Sequence, residues 1–416
     1  MRLGEVVDRD RATGGRPLDG VRVLAIEQMQ ALPFATQLLA HLGADVVKVE
    51  HPEHGESGRG SRPQITDVDG RAVGATYLRN NLSKRSVGID LKSDAGRELV
   101  RKLVPHFDVV AENFKAGTMD RLGLGYAALS AIHPPLVYVS ISGFGNLVES
   151  DYASWPAYAP IVEAMAGLYE PNRRPGEPPP VVVAGALGDN ASALYAIIGT
   201  LAALRQRERS GRGQHVDISM YDAMIAMTDM VPFMWSVGEP PNAATAGRTG
   251  LVAAFEAKDG YFVVAIFRDH QFERLARCLG HPEWCRDPRF DTREGWAAHR
   301  NDVIRPALEA WARDKTKLEA SGLLCAEGIP AGPSNVASDI AADPHVAAHH
   351  MLIEVPRPDS DRPMLVVGNP VKLSDSPEGP VRRFPSLGEH TDEVLRETLG
   401  LDAGALASLR ERGVIS

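Results

Sequence analysis

The sequence predicts an α/β protein: a large domain built on a parallel, doubly wound sheet, joined to a smaller α+β domain. Two observations carry this. Through the first half, short β-branched runs alternate with stretches of helical period, the pattern of parallel strands joined by crossover helices. Near residue 248 the pattern changes to a hairpin followed by several helices. The length of 416 residues accommodates two domains.

Val21–Ile26 (V-R-V-L-A-I) reads as the first strand. Pro33 opens a helix closed by Gly43, following the preference for Pro at helix starts and Gly at helix ends. Asp45–Glu50 is the second strand. Ser93–Leu103 is an amphipathic helix, and Asp108–Glu112 and Leu136–Ile141 are further buried strands. In such sheets ligands bind beyond the carboxyl ends of the strands, so the turns after Glu50, Glu112 and Ile141 are the places for a site.

Residues 146–180 are rich in Pro, Gly and polar residues, with a short helix near Ile161–Leu168. A short apolar strand from Val181 runs into a turn with Gly185 and Gly188. A long apolar helix follows from Asn190 to about Arg207, and the turn Arg209–Gln214 enters the strand H-V-D-I-S-M. A Met-rich helix, Tyr221 to about Trp235, reads as core filler. Gly238–Gly250 is a loop. Phe255–Phe267 is a hairpin turning at Asp259–Gly260, with helices after it at Gln271–Leu279, Val303–Ala312 and Thr316–Leu324. The resulting division is a Rossmann-like domain over 17–226, a linker over 227–247, the small domain over 248–333, and a segment over 334–416 returning to the large domain.

Composition excludes several function classes. A formal charge of −9 argues against a nucleic-acid binder, which carries a basic stripe. The three cysteines, Cys278, Cys285 and Cys325, form no disulfide framework and lack zinc-module spacing. The N-terminus is polar, and the longest apolar run, Ala191–Leu204, is short for a bilayer. A cytoplasmic protein with no membrane partner and no metal is expected.

Asp189 is the most informative residue. At the start of a long helix an aspartate commonly caps free backbone N–H groups. The same place suits chemistry, because a helix N-terminus stabilises anions and nearby glycines let a substrate approach the backbone. A carboxylate there is a candidate covalent nucleophile.

Eight segments in order decide between these roles: P-L-D-G-V-R-V-L at Pro17, L-G-A-D-V-V-K-V-E at Leu42, N-N-L-S-K-R-S-V-G-I-D-L-K at Asn80, E-N-F-K-A-G-T-M-D-R-L-G at Glu112, G-A-L-G-D-N at Gly185, G-R-G-Q-H-V-D-I-S-M-Y-D-A at Gly211, G-I-P-A-G-P at Gly328 and L-G-E-H-T-D-E-V-L at Leu387. With these the chain resembles the class III (CaiB/BaiF-type) CoA-transferases along nearly its whole length. The resemblance implies a CoA-transferase with Asp189 as nucleophile, coenzyme A or acyl-CoA as substrate and no permanently bound cofactor. It implies an interlocked homodimer, and a CoA site at Gln30, Ala31, His51, Ile89, Asp90, Leu91, Lys92, Asn113, Phe114, Arg121, Ser142, Gly143 and Phe144. Arg121 would meet a CoA phosphate. Backbone N–H groups near the glycine turn are expected to hold the developing oxyanion.

The sequence departs from the formyl-CoA transferase branch at three places. His51 replaces a basic residue, Ser142 replaces a lysine, and the four-glycine run of the small domain is absent, with Gly247 and Gly250 in its neighbourhood. Oxalate and formate are therefore not the expected substrates; a bulkier, less polar acyl group is. An acyl-CoA racemase is the alternative within the family. It would need a histidine where Tyr158 stands, and tyrosine is a poor base near neutral pH. A CoA-binding protein without activity is the other alternative, and the retained Gly188-Asp189 pair weighs against it.

Overall fold

The computed structural model describes residues 1–7, 14–173, 176–181, 185–228, 231–238 and 250–416. The chain forms two compact units. The first holds Met1–Glu170, Pro178–Asp229 and Pro344–Ser416; the second holds Pro171–Glu177 and Met230–Asp343.

The first unit is built on six strands: β1 (Arg22–Ile26), β2 (Asp45–Glu50), β5 (Arg85–Gly88), β6 (Val109–Glu112), β7 (Val137–Ser142) and β8 (His215–Ser219). A small antiparallel hairpin, β3 (Gln64–Thr66) and β4 (Ala72–Gly74), lies between β2 and β5. The six strands run β5-β2-β1-β6-β7-β8, and every pairing is parallel. The chain works outward from β1 in one direction, then returns to its other side at β6. The order reverses between β1 and β6, which opens a crevice at their carboxyl ends.

Both faces of the strands are apolar because both are covered. Val23, Ala25, Val46, Val109 and Val139 face helices α1 (Ala31–His41) and α7 (Leu187–Ser210). Leu24, Ile26, Val47, Val87 and Val110 face α3 (Asp94–Leu103) and the C-terminal helices Thr391–Leu399 and Ala403–Glu411.

Buried ion pairs tie the strand ends together. The fully buried Glu27 receives Lys84 Nζ at 2.7 Å and lies 3.5 Å from Lys48 Nζ. Glu50 receives Arg59 at 2.7 and 2.8 Å and the Ser86 hydroxyl at 2.7 Å.

In the second unit β9 (Leu251–Ala257), β10 (Gly260–Ile266) and β11 (Ala331–Pro333) form an antiparallel sheet in the order β11-β10-β9. Ala257 pairs with Gly260, so the turn is Lys258-Asp259, a residue earlier than the sequence suggests, and Gly260 already belongs to β10. Gly250 begins this hairpin with φ +142, and a Cβ there would lie 2.4 Å from the Ile266 carbonyl oxygen. The helices Asp269–Cys278, Arg305–Ala312 and Lys317–Ala326 complete the unit.

Three expectations are corrected. Helix α1 starts at Ala31, so Pro33 sits inside the first turn, where a missing N–H costs nothing. Helix α7 is 24 residues long, by length and composition enough to cross a membrane. It packs on α1, β7 and β8 along one side, while Leu194, Ile198 and Leu201 are exposed on another, so the buried-helix reading holds for one face only. The Met-rich stretch forms α8 (Met220–Met227) and a separate helix, Val231–Ser236. Residues 182–184 of the strand expected from Val181, and residues 239–249 with Gly247, lie outside the described residues.

Candidate active site at the carboxyl ends of the sheet

Asn113 holds the crevice between β1 and β6. Its Oδ1 accepts the Gln28 N–H at 2.9 Å, and its Nδ2 donates to the Gln28 carbonyl at 2.9 Å. One side chain thus satisfies both backbone groups where the two strands diverge. Beside it, Glu112 accepts the Phe114 N–H at 2.8 Å, and burial pushes its carboxyl up to about 8.

A cavity of about 320 Å³ opens here. Its walls come from the ends of three strands and the start of two helices. Gln28–Ala31 follow β1, Asn113–Ala116 follow β6, and Ile141–Phe144 end β7. Asp189 opens in from α7 and Met220 from α8. Trp155, Pro156, Ala157 and Tyr158 close the side before α6 (Ala159–Met165). A second cavity of about 310 Å³ is lined by His51, Ile89, Asp90, Leu91 and Lys92, at the ends of β2 and β5. Gln28 and Phe114 line both.

The fourteen residues expected at the site therefore divide. Gln30, Ala31, Asn113, Phe114, Ser142, Gly143, Phe144 and Asp189 meet in the first cavity. His51, Ile89, Asp90, Leu91 and Lys92 meet in the second. Arg121 lines neither; its Nη2 is bonded to the Thr118 hydroxyl at 2.9 Å. Lys115 lines the first cavity and was not singled out, although it stands beside Phe114 in E-N-F-K.

Asp189 is the third residue of α7, and the helix N-cap is Ala186, held at φ 52. The expected capping role is absent: no side-chain capping bond forms at this terminus. The carboxylate makes no hydrogen bond or ion pair with any described residue, and it stands partly buried over the cavity. Burial, and then the nearby Glu163 carboxylate, push its pKa up to about 6 against the opposing pull of Arg79.

Glu163 was not legible in the sequence. It lies in α6, is buried, accepts the Gly188 N–H at 2.9 Å and is bonded to the Tyr169 hydroxyl. Gly188 permits this fit, since a Cβ would come 3.0 Å from Ala159 Cα. The Gly188 N–H is consequently spent on Glu163, which corrects the expectation of a free oxyanion donor at that position. Gln30 offers a donor instead: its Nε2 is buried without a hydrogen-bond partner among the described residues, and Gln30 lines the cavity. A buried unpaired donor is costly unless a ligand completes it.

A larger cavity of about 390 Å³ lies elsewhere in the same unit, around His41, Lys372 and Glu378. There Lys372 and His350 both pair with Glu378, so its charges are internally satisfied. His41 also lines it, with both ring nitrogens buried and without partners among the described residues; burial pushes its pKa down to about 4, so this is a neutral imidazole. The carboxylate without a partner among the described residues, Asp189, is in the other cavity.

The model of CoA-transferase family III matches residues 18–391. The chain belongs to that family. It is 37% identical over 394 residues to the succinyl-CoA:mesaconate CoA-transferase of Haloarcula marismortui, covering 93% of this chain and 97% of the relative. It is 32% identical over 427 residues to the formyl-CoA:oxalate CoA-transferase of Rhodopseudomonas palustris (strain HaA2), covering 96% of this chain and 98% of that one. Among solved structures, a CAIB/BAIF family protein from Brucella suis matches with a TM-score of 0.80 and 34% identity, covering 92% of this chain and all of that one. The parallel six-stranded sheet is the fold of this family III CoA-transferase, and CoA thioesters are its substrates.

Proposed function

We propose that this CoA-transferase moves CoA from an acyl-CoA to a carboxylic acid through covalent intermediates on Asp189. The supporting observation is a carboxylate raised toward neutrality at a cavity lined also by the Gln30 amide, both without a partner among the described residues. An Asp189 oxygen attacks the thioester carbonyl carbon, the C–S bond breaks, and CoA leaves as thiolate. The product is a mixed anhydride of Asp189 and the donor acid. The thiolate then attacks the aspartyl carbonyl, forming an aspartyl-CoA thioester and releasing the donor as its carboxylate. An acceptor carboxylate runs the same two steps in reverse and leaves as its CoA ester, restoring Asp189. Gln30 Nε2 donates to the oxygen that becomes anionic in each attack.

The acyl group we assign is bulkier and less polar than oxalate. Phe144, Ala153, Trp155, Pro156 and Met220 give the cavity an apolar wall, and among the described residues Lys115 is the only Lys or Arg in its lining. The CoA body would extend along Gln28 and Phe114 into the second cavity, with Lys92 and His51 at its charged end. A cytoplasmic homodimer is part of the proposal, and the exposed apolar residues along α7 support the dimer.

A matrix of acyl-CoA donors against carboxylic acids tests the reading, with isotope-labelled acid followed into the CoA pool. Ping-pong transfer with aliphatic or aryl donors is expected. Loss of an α-proton to deuterated water without any exchange between acids would instead establish the racemase. A sedimentation profile showing only monomer would remove the dimer.

A further inference from the structure

The H-V-D-I-S-M strand contains a carboxylate that the mechanism above does not use. Asp217 lies on β8 and does not line the cavity. Its Oδ2 accepts the backbone N–H of Asn146 at 2.5 Å and of Leu147 at 2.8 Å. Its Oδ1 accepts the Ser140 hydroxyl at 2.7 Å and Asn146 Nδ2 at 3.0 Å. Asn146 in turn accepts the Gly117 N–H on its Oδ1 at 3.3 Å.

These bonds join two loops. Gly117 ends the loop that carries Asn113–Ala116 after β6, and Asn146 ends the turn that carries Ser142–Phe144 after β7. The turn is tight. Gly145 has φ +87, a Cβ there would stand 3.2 Å from Asp217 Oδ2, and its N–H donates to the Ser142 hydroxyl at 2.9 Å. Four donors converge on one carboxylate, and burial is outweighed by the hydrogen bonds from Ser140, Asn146 and Leu147, which hold its pKa below the usual range.

We infer that Asp217 is a positioning residue: through Asn146 it clamps the loops after β6 and β7 into the shape that receives acyl-CoA. The inference rests on the reading of this cavity as the acyl-CoA site. It fits the chemistry of a rigid site, in which first-contact residues are held by buried polar neighbours. It also predicts selectivity of effect, because the clamp touches the CoA-binding walls and not Asp189 or Glu163.

The test is calorimetric titration of the full-length protein with CoA, alongside steady-state kinetics. Asp217→Asn places an amide N–H against either the two backbone N–H groups or the Ser140 and Asn146 donors, and so loses half of the clamp. Asn146→Ala removes only the link to Gly117 and its own bonds to β7 and β8. Both are expected to weaken CoA binding about tenfold, raising KM for acyl-CoA while KM for the acceptor acid stays within about twofold. His215→Phe is the control. His215 lies on β8 with Asp217; the variant loses the 2.8 Å bond to Ser140 on β7 but keeps the ring contacts to Tyr126 and Tyr138 and touches neither loop. It should bind CoA as the parent does. If Asp217→Asn does not fold, Asn146→Ala decides alone. Parental CoA affinity in the loop variants, or an equal loss in His215→Phe, overturns the clamp. Failure of the parent itself to bind CoA overturns the reading of the site instead.

Discussion

Replacing Asp189 by Asn should stabilise the protein while abolishing turnover. In an unfolded chain an aspartate loses its proton near pH 4. In the folded protein burial and the Glu163 carboxylate push that event up to about 6. Below pH 4 both states are protonated and the site costs nothing. As pH rises from about 4 to 6, the unfolded state ionises first and the folded state falls behind, so stability drops. Above about pH 7 the full cost is present. Two pH units of difference correspond to ~3 kcal/mol, a ceiling because the carboxylate is only partly buried; a gain of ~1–3 kcal/mol follows for Asp189→Asn at pH 8. Urea denaturation of both proteins at pH 8 and at pH 4.5 measures it. The gain should shrink toward zero at the lower pH, and transfer activity should fall by at least ~10³-fold. A variant that is equally or less stable at pH 8 would refute the electrostatic reading of the site, whatever its activity.

Other consequences follow from the same geometry. Glu163→Gln keeps an acceptor for the Gly188 N–H but removes the charge beside Asp189, so the acid limb of the kcat/KM profile should move to lower pH. Asn113→Ala strands both backbone groups of Gln28 between β1 and β6; a loss of ~1–3 kcal/mol in denaturation is expected, with a raised KM for acyl-CoA. Lys84→Ala leaves the buried Glu27 carboxylate with the Thr36 hydroxyl and, as its cation, only the longer contact to Lys48; urea unfolding should show a cost of ~3–5 kcal/mol, the usual result of breaking a buried ion pair.

The strands legible in the sequence are those that carry runs of β-branched residues, whatever buried charges they also hold. Asp45–Glu50 and Asp108–Glu112 show themselves by β-branched runs, and the structure pairs them around β1. Strand β5 was hidden because its residues are R-S-V-G: Arg85 is spent on Asp45, Glu393 and Glu397, and Ser86 on Glu50, so polar residues occupy a buried strand. Asp189 was legible as a candidate because glycines and a long helix surround it. Its partnerless state was not, since that depends on Ala186 taking the N-cap position. Glu163 acts on Asp189 through space across 26 positions of chain, and no local pattern marks it. Arg121 was placed by its matching motif; in the structure it lines neither cavity, and its guanidinium is bonded to Thr118 on its own short helix, Thr118–Arg121.

The most direct measurement is peptide mass spectrometry of the protein after incubation with acyl-CoA, with the intermediate trapped by hydroxylamine. The account predicts a CoA thioester on the peptide containing Asp189, converted by hydroxylamine to a hydroxamate at that residue and absent from Asp189→Asn. Transfer of CoA between acids with no modification of Asp189, or continued turnover by Asp189→Asn, would contradict it.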